Sequence, residues 1–146
     1  MARARLIGLN HVALEVGDLE AALALYGRLF AFELRGRAPG MAFVDIGDQF
    51  LALSEGRAQG RDDGRHFGLV VDDKETVRAA VAAEGLETAG RPPRLDFLDP
   101  WGNRFEVVAY GDVQFERTGG VKRKLGIEGL EKSVRARAEI AERGLD

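Results

Sequence analysis

The sequence states one pattern twice, and its only two histidines stand at the corresponding place in each copy. His11-Val-Ala-Leu-Glu-Val-Gly-Asp18 aligns with His66-Phe-Gly-Leu-Val-Val-Asp-Asp73, an offset of 66 − 11 = 55. Gly36–Ile46 aligns with Gly90–Pro100 at 90 − 36 = 54. One extra residue, Trp101, restores 55 and sets Gly47-Asp-Gln-Phe50 against Gly102-Asn-Arg-Phe105. A repeat of this length means two copies of one supersecondary unit. Identical ligand-type residues at symmetric positions suggest a site where the copies meet.

Hydrophobic periodicity gives the content of each copy. Leu9 to Val16 alternates as a strand, with Val12, Leu14 and Val16 on one face and Leu9, His11, Ala13 and Glu15 on the other. Asp18 is a helix N-cap, and Leu19 to Phe30 carries Leu19, Leu23, Tyr26 and Phe30 at helical spacing. Short strands follow at Phe32–Arg35, Met41–Ile46 and Gln49–Ser54, separated by Pro39-Gly40 and Gly47-Asp48. The second copy repeats the order: strand His66–Val71, cap Asp73, helix Lys74–Glu84, then strands near Glu87–Gly90, Arg94–Leu98 and Arg104–Ala109. Gly85 is placed to end the second helix. The reading is an α+β fold of two βαβββ repeats, 6–55 and 64–110, sharing one domain over 6–110. A tail over 120–146 has Ile127, Leu130, Val134, Ala138 and Ala141 at helical spacing and is expected to form an amphipathic helix.

Each helix must cover one strand face, and the apolar faces Val12/Leu14/Val16, Phe67/Leu69/Val71 and Phe105/Val107/Ala109 are the ones to cover. His11, His66 and Glu106 then fall on the uncovered faces and converge if the sheet curves. Two imidazoles and a carboxylate are a ligand set for a divalent first-row metal, with open positions opposite. An unpaired carboxylate at a strand centre is costly to bury, and a cation resolves that cost. By the repeat alignment the counterpart of Glu106 is 106 − 55 = 51, Leu51, so the site has three protein ligands rather than four.

Composition narrows the alternatives. With no cysteine, disulfides, thiolate ligands and a cysteine nucleophile are excluded. Net charge is −3, which gives no basic field for nucleic acid. No apolar run approaches the ~20 residues of a membrane span. The basic start lacks the apolar stretch of a secretory signal, and a cytoplasmic location is the expectation.

At Gly8-Leu-Asn-His11-Val-Ala-Leu, His66-Phe-Gly-Leu-Val-Val and Phe97-Leu-Asp-Pro-Trp-Gly-Asn-Arg-Phe-Glu106 the chain resembles the vicinal oxygen chelate superfamily. That superfamily includes glyoxalase I, bleomycin-resistance proteins, extradiol dioxygenases and fosfomycin-resistance enzymes. The resemblance runs from about Leu6 to Tyr110. It implies paired βαβββ units forming a curved, mixed-sheet cup around a metal that chelates neighbouring substrate oxygens. It implies His11, His66 and Glu106 as ligands, with the fourth family ligand absent at Leu51.

Fe(II) or Mn(II) is favoured, with Ni, Co or Zn admissible. A small-molecule substrate and a homodimer are the implied partners, and the site is either within one chain or shared between two. Losing the fourth ligand disfavours glyoxalase-type isomerisation, since no base is placed there. Two readings keep three ligands. One is a dioxygenase-type or lyase-type metalloenzyme, in which Tyr110, on the parity of Glu106, is the candidate catalytic acid or hydrogen-bond donor. The other is a fosfomycin-resistance-like thiol transferase or lyase. There Ala13 replaces a family threonine and the stretch Gly90–Asp96 lacks the family's serine and lysine. Arg91, Arg94 and Arg104 remain able to meet another anion. A third reading is a non-catalytic, drug-binding protein, disfavoured by retention of all three ligands. Trp101 is read as a surface or interface residue.

Overall fold

The structure, a computed structural model, describes residues 3–146. The first repeat forms β1 (His11–Val16), α1 (Leu19–Leu29), β2 (Leu34–Ala38), β3 (Met41–Ile46) and β4 (Gln49–Glu55). The second forms β5 (Phe67–Val71), α2 (Lys74–Ala83), β6 (Thr88–Ala89), β7 (Asp96–Leu98) and β8 (Arg104–Ala109). Each repeat builds its own mixed four-stranded sheet, in the orders β1-β4-β3-β2 and β5-β8-β7-β6. The βαβββ order and mixed pairing expected from the sequence are present, one four-stranded sheet to each repeat. In each, the first and last strands run parallel and the other pairs antiparallel.

Equivalent caps start the two helices. Asp18 accepts from the Ala21 N–H, and Asp73 from the N–H groups of Glu75 and Thr76. In α1, Leu19, Ala22, Leu25, Tyr26 and Leu29 are buried, a stripe at three- and four-residue steps. They cover the face of the first sheet formed by Leu14, Val16, Ala42, Val44, Leu51 and Leu53.

The two repeats pack back to back, with their helices inside. The Tyr26 ring meets Phe105 edge-on with centroids 5.8 Å apart, and Phe30 lies 6.3 Å from Phe97. Phe97 and Phe105 themselves stack at 4.8 Å. At the centre of the contact is Asp99, 5 % exposed. It accepts from the Tyr26 hydroxyl (2.6 Å), the Trp101 and Asn103 N–H groups (2.9 and 2.8 Å) and the Asn103 amide (2.8 Å). The same Asn103 amide donates to the Glu15 carbonyl of β1 (2.9 Å). Burial, and then the Asp99 charge, push the Tyr26 phenol well above its ordinary value. Trp101 lies half-buried against Gly17, where a Cβ would stand 2.6 Å from the indole ring. It is therefore a joint between the repeats.

The tail is helical but not one helix. A single 3-10 turn at Tyr110–Asp112 leads to α3 (Gly119–Leu125) and α4 (Val134–Glu142). Gly126 ends α3 in the left-handed region, φ 69°, and breaks the expected continuous stripe. The buried residues of α4 are Ala136 and Ile140, whereas Val134 is 85 % exposed. The sequence stripe thus mistook which face is covered. The tail reaches back to the first repeat: Lys124 bonds Asp45 at 2.7 Å, and Arg117 donates to the Ile46 carbonyl at 2.8 Å.

Two outcomes follow. Tyr26→Phe removes one donor from buried Asp99 and is expected to lower stability by about 1–3 kcal/mol, read as a drop in Tm on thermal unfolding. Bonding to Lys124 holds the Asp45 carboxyl below its usual range, and bonding to Tyr110 does the same for Glu116. A depressed native pKa stabilises above the unfolded value and is lost as pH falls through the native one. The docked tail is therefore expected to hold above about pH 4 and to loosen below it, read by limited proteolysis at acid pH.

Candidate metal centre

β1 and β5 carry one histidine each at or just before their first residue. Pairing register fixes which way the side chains lie. In the first sheet Val12 pairs with Leu51 and Leu14 with Leu53 on the helix-covered face. His11 pairs with Phe50 and Ala13 with Ala52 on the opposite, open face, where His11 and Ala13 are exposed. In the second sheet Phe67 pairs with Phe105 under the helices, and Gly68 pairs with Glu106 on the open face.

This register corrects the repeat alignment. Gly68 and Glu106 occupy the places of Ala13 and Ala52, since 68 − 13 = 55 and 106 − 52 = 54. The counterpart of Glu106 is Ala52, and Leu51 corresponds to buried Phe105. Upstream, Val44–Leu51 corresponds to Phe97–Phe105, an offset of 97 − 44 = 53. The extra residue in the Asp99–Asn103 turn raises the offset from 53 to 54, not from 54 to 55. Ala52 has no donor atom, so the fourth ligand position is still empty of one.

His66 and Glu106 are brought together. The His66 Nε2 lies 3.4 Å from the Glu106 Oε2, with both side chains about one-third exposed. The His66 Nδ1 lies 2.9 Å from the Gly64 carbonyl, an acceptor only, so Nδ1 donates; in the neutral imidazole, the form a metal requires, Nε2 then carries the lone pair. Two electron-rich atoms then face one another. Donors around a first-row divalent ion at about 2.1 Å stand about 3 Å apart, which matches this spacing. The donor set fits a metal.

His11 has the same arrangement on the other sheet. Its Nδ1 donates to the Asn10 Oδ1 at 2.7 Å, leaving Nε2 bare, and its ring stacks on Phe50 at 4.7 Å and 11°. Within one chain it does not join the other two. Among the described residues, no three histidine or carboxylate side chains gather in metal-binding geometry.

Around Glu106 lies a charged network that sequence reading touched only at its arginines. Asp96, fully buried, sits opposite Glu106 on the open face. Burial alone would raise its carboxyl, but bonds from Arg94 and Arg104 outweigh this and hold it below the usual range. Arg94 also lies 3.6 Å from Glu106. Tyr110 is placed elsewhere. It is 3 % exposed, donates to Glu116 at 2.7 Å and has Lys132 3.6 Å from its ring centroid. Burial pushes its phenol up. Its neighbours belong to the tail.

The superfamily model for the glyoxalase, bleomycin resistance protein and dioxygenase group matches residues 8–107. The chain belongs to that superfamily. Among curated proteins, it is 40% identical over 72 residues to the cadmium-induced protein CadI of Mycobacterium tuberculosis (strain ATCC 25618 / H37Rv). That match covers 49% of this chain and 47% of the relative, so the chain spans about half the relative's length.

Among solved structures, the fosfomycin resistance protein FosX of Listeria monocytogenes, complexed with Mn(II) and sulfate, aligns at TM-score 0.62 and 21% identity. The match covers 72% of this chain and 93% of that one. FosX from Mesorhizobium loti aligns at 0.60 and 25%, covering 70% and 92%. A putative glyoxalase family protein from Bacillus anthracis aligns at 0.59 and 22%, covering 74% and 98%. These likenesses establish the shared fold. No helix among the described residues is long and apolar enough to cross a membrane.

The tail, outside the matched residues, is linked through Gln49 to the segment carrying His11. Arg117 donates to Gln49 Oε1 at 2.8 Å, and Gln49 Nε2 donates to the Leu9 carbonyl at 3.1 Å. Arg117→Ala is expected to speed amide exchange in residues 9–12 while leaving β5 and β8 unchanged, measured by hydrogen–deuterium exchange.

Proposed function

We propose that this chain is a metal-dependent superfamily enzyme acting on a small molecule with adjacent oxygen atoms. Its divalent cation is held by His66 and Glu106 of one chain and His11 of a second copy. The observation that carries this is the matched state of the two imidazoles. Each commits Nδ1 to an oxygen and leaves Nε2 bare on an open sheet face, and one of them faces a carboxylate 3.4 Å away. Mn(II) or Fe(II) suits two imidazoles and a carboxylate. FosX, a fold neighbour, has been crystallised with Mn(II).

The sharing between chains is supported by sheet edges. β1 and β5 are the outer strands of their sheets, and each lies beside one half of the ligand set. A two-fold dimer that sets β1 of one chain along β5 of the other covers both edges and forms two equal sites. Leu6, Ile7 and Leu9, 75–104 % exposed just before β1, give such a contact apolar area.

The cation, when bound, polarises neighbouring substrate oxygens and stabilises negative charge that develops there. The chain's own part is to hold and orient. Ala13, Ala52 and Gly68 line the open faces without a titratable group, which weighs against isomerases that need a side-chain base. A dioxygenase-type or lyase-type reaction is the leading assignment, with a fosfomycin-resistance-like thiol transferase or lyase second; a non-catalytic drug-binding role is third. Tyr110 has no part in this proposal.

The test is complementation. Wild-type protein is expected to bind one Mn(II) per chain, and His11→Ala or His66→Ala alone to lose it. Unfolding, refolding and mixing the two variants equally is expected to restore about a quarter of the sites, because mixed dimers contain one intact site. No recovery, with both variants folded by circular dichroism, overturns the shared site. Failure of the wild type to take up Mn(II) or Fe(II) overturns the metal reading altogether.

A further inference from the structure

Arg94 is held more firmly than the folding of its loop requires. Its Nε and Nη2 donate to the two oxygens of buried Asp96 at 2.7 and 3.0 Å. Asp96 already has a second cation, Arg104, whose Nη2 donates at 3.1 Å and which is also bonded to the Asp63 carbonyl. One buried carboxylate needs one counter-charge, so the second guanidinium is left to balance Glu106, 3.6 Å away. Arg94 is also half exposed, at 48 %, whereas Arg104 is at 22 %.

The backbone around Arg94 is clamped as well. Lys74 donates to the Pro93 carbonyl at 2.8 Å, and Arg78 to the Pro93 and Arg94 carbonyls at 3.1 and 3.4 Å, tying the loop to α2. Gly90, at φ +86°, lies against the Arg94 side chain, where a Cβ would come within 3.3 Å of Cδ. The result is a guanidinium fixed along one edge. The other edge, Nη1 with the second hydrogen of Nη2, has no hydrogen bond among the described residues. Its Nη2 lies 3.6 Å from the Glu106 Oε2, so this edge begins beside the candidate metal ligand.

We propose that Arg94 is the specificity-determining residue of the site and that the substrate carries an oxyanion, a carboxylate or a phosphonate, beside its chelated oxygens. This rests on the metal reading above. The free fork matches two oxygens of such a group in bidentate fashion. Charge supports it. Arg94 and Arg104 balance Asp96 and Glu106, so a divalent ion held with neutral imidazoles leaves the pocket two charges positive. With Glu106 engaged by the ion, the fork next to it is released for the substrate.

The experiment is calorimetric titration with methylphosphonate and with acetate, on Mn(II)-loaded and on metal-free protein. Wild type, Arg94→Gln and Arg94→Lys are compared, with Arg28→Gln as a remote control. Arg94→Gln is expected to keep or tighten Mn(II) binding and to weaken the preferred oxyanion by about tenfold or more. Arg94→Lys, which keeps charge but loses the fork, is expected to recover part of the loss. Whichever probe binds more tightly to the wild type names the oxyanion class.

Equal oxyanion binding by wild type and Arg94→Gln overturns the proposal, as does wild type that binds neither probe. Should Arg94→Gln lose its fold, Arg94→Lys binding as tightly as wild type overturns the fork. Should wild type take up no Mn(II), the metal reading fails on its own account. The metal-free titration then decides Arg94: Arg94-dependent oxyanion binding upholds it, and binding indifferent to the substitution overturns it.

Discussion

The knot of hydrogen bonds around Asp99 decides the shape of this chain. One buried carboxylate receives the Tyr26 hydroxyl from α1 and three donors from its own turn, one of which also bonds to β1. A buried charge is tolerated only when it is saturated in this way, and saturation here requires both repeats. The helices are thereby trapped between the sheets. Every open sheet face is turned outward, and with it every candidate ligand. The Asp-Pro-Trp-Gly-Asn stretch is the most specific part of the family resemblance. Its work is to join the repeats, and only Glu106, beyond its end, faces the candidate metal centre.

Much of this was legible in the sequence. Duplicated histidines, duplicated aspartate caps and alternating strands gave the βαβββ order and the open-face position of His11, His66 and Glu106. The errors were local and have physical reasons. Phe50 and Phe105 invite alignment because both are aromatic in similar surroundings. Yet Phe50 lies on the open face stacked on His11, while Phe105 is buried under the helices. A strand reverses face at every residue, so a shift of one turned Ala52 into Leu51. Parity misled again at Tyr110, because β8 ends at Ala109 and the chain then turns through a 3-10 turn that buries the ring. In the tail, spacing alone could not reveal that Gly126 would divide the helix, nor that the first repeat would provide its docking partners.

The tail, beyond the superfamily's matched residues, is more than an appendage. It leaves the second repeat at Tyr110, is pinned there by Lys132 and Glu116, and lands on the β3–β4 turn of the first. Through Arg117 and Gln49 it reaches the backbone two residues before His11. A candidate ligand at the start of an edge strand is prone to fraying, since its strand has hydrogen-bond partners on one side only. Bracing that segment from a distant element opposes fraying of the strand end that carries His11.

The inequality of the two repeats also constrains any assembly. The first repeat offers an imidazole and Ala52; the second offers an imidazole, a carboxylate and the Arg94–Asp96–Arg104 network. Two first repeats brought together would offer two imidazoles and no negative charge to hold a cation. Two second repeats would gather two carboxylates and four arginines about one point. Only the unlike pairing yields two imidazoles, one carboxylate and one set of arginines. Since the Asp99 knot keeps the two repeats of one chain from turning their open faces together, the proposed site takes its unlike partner from a second copy. In the proposed site, metal affinity is then linked to association: whatever separates the chains divides the ligand set, and whatever binds the cation holds the chains together.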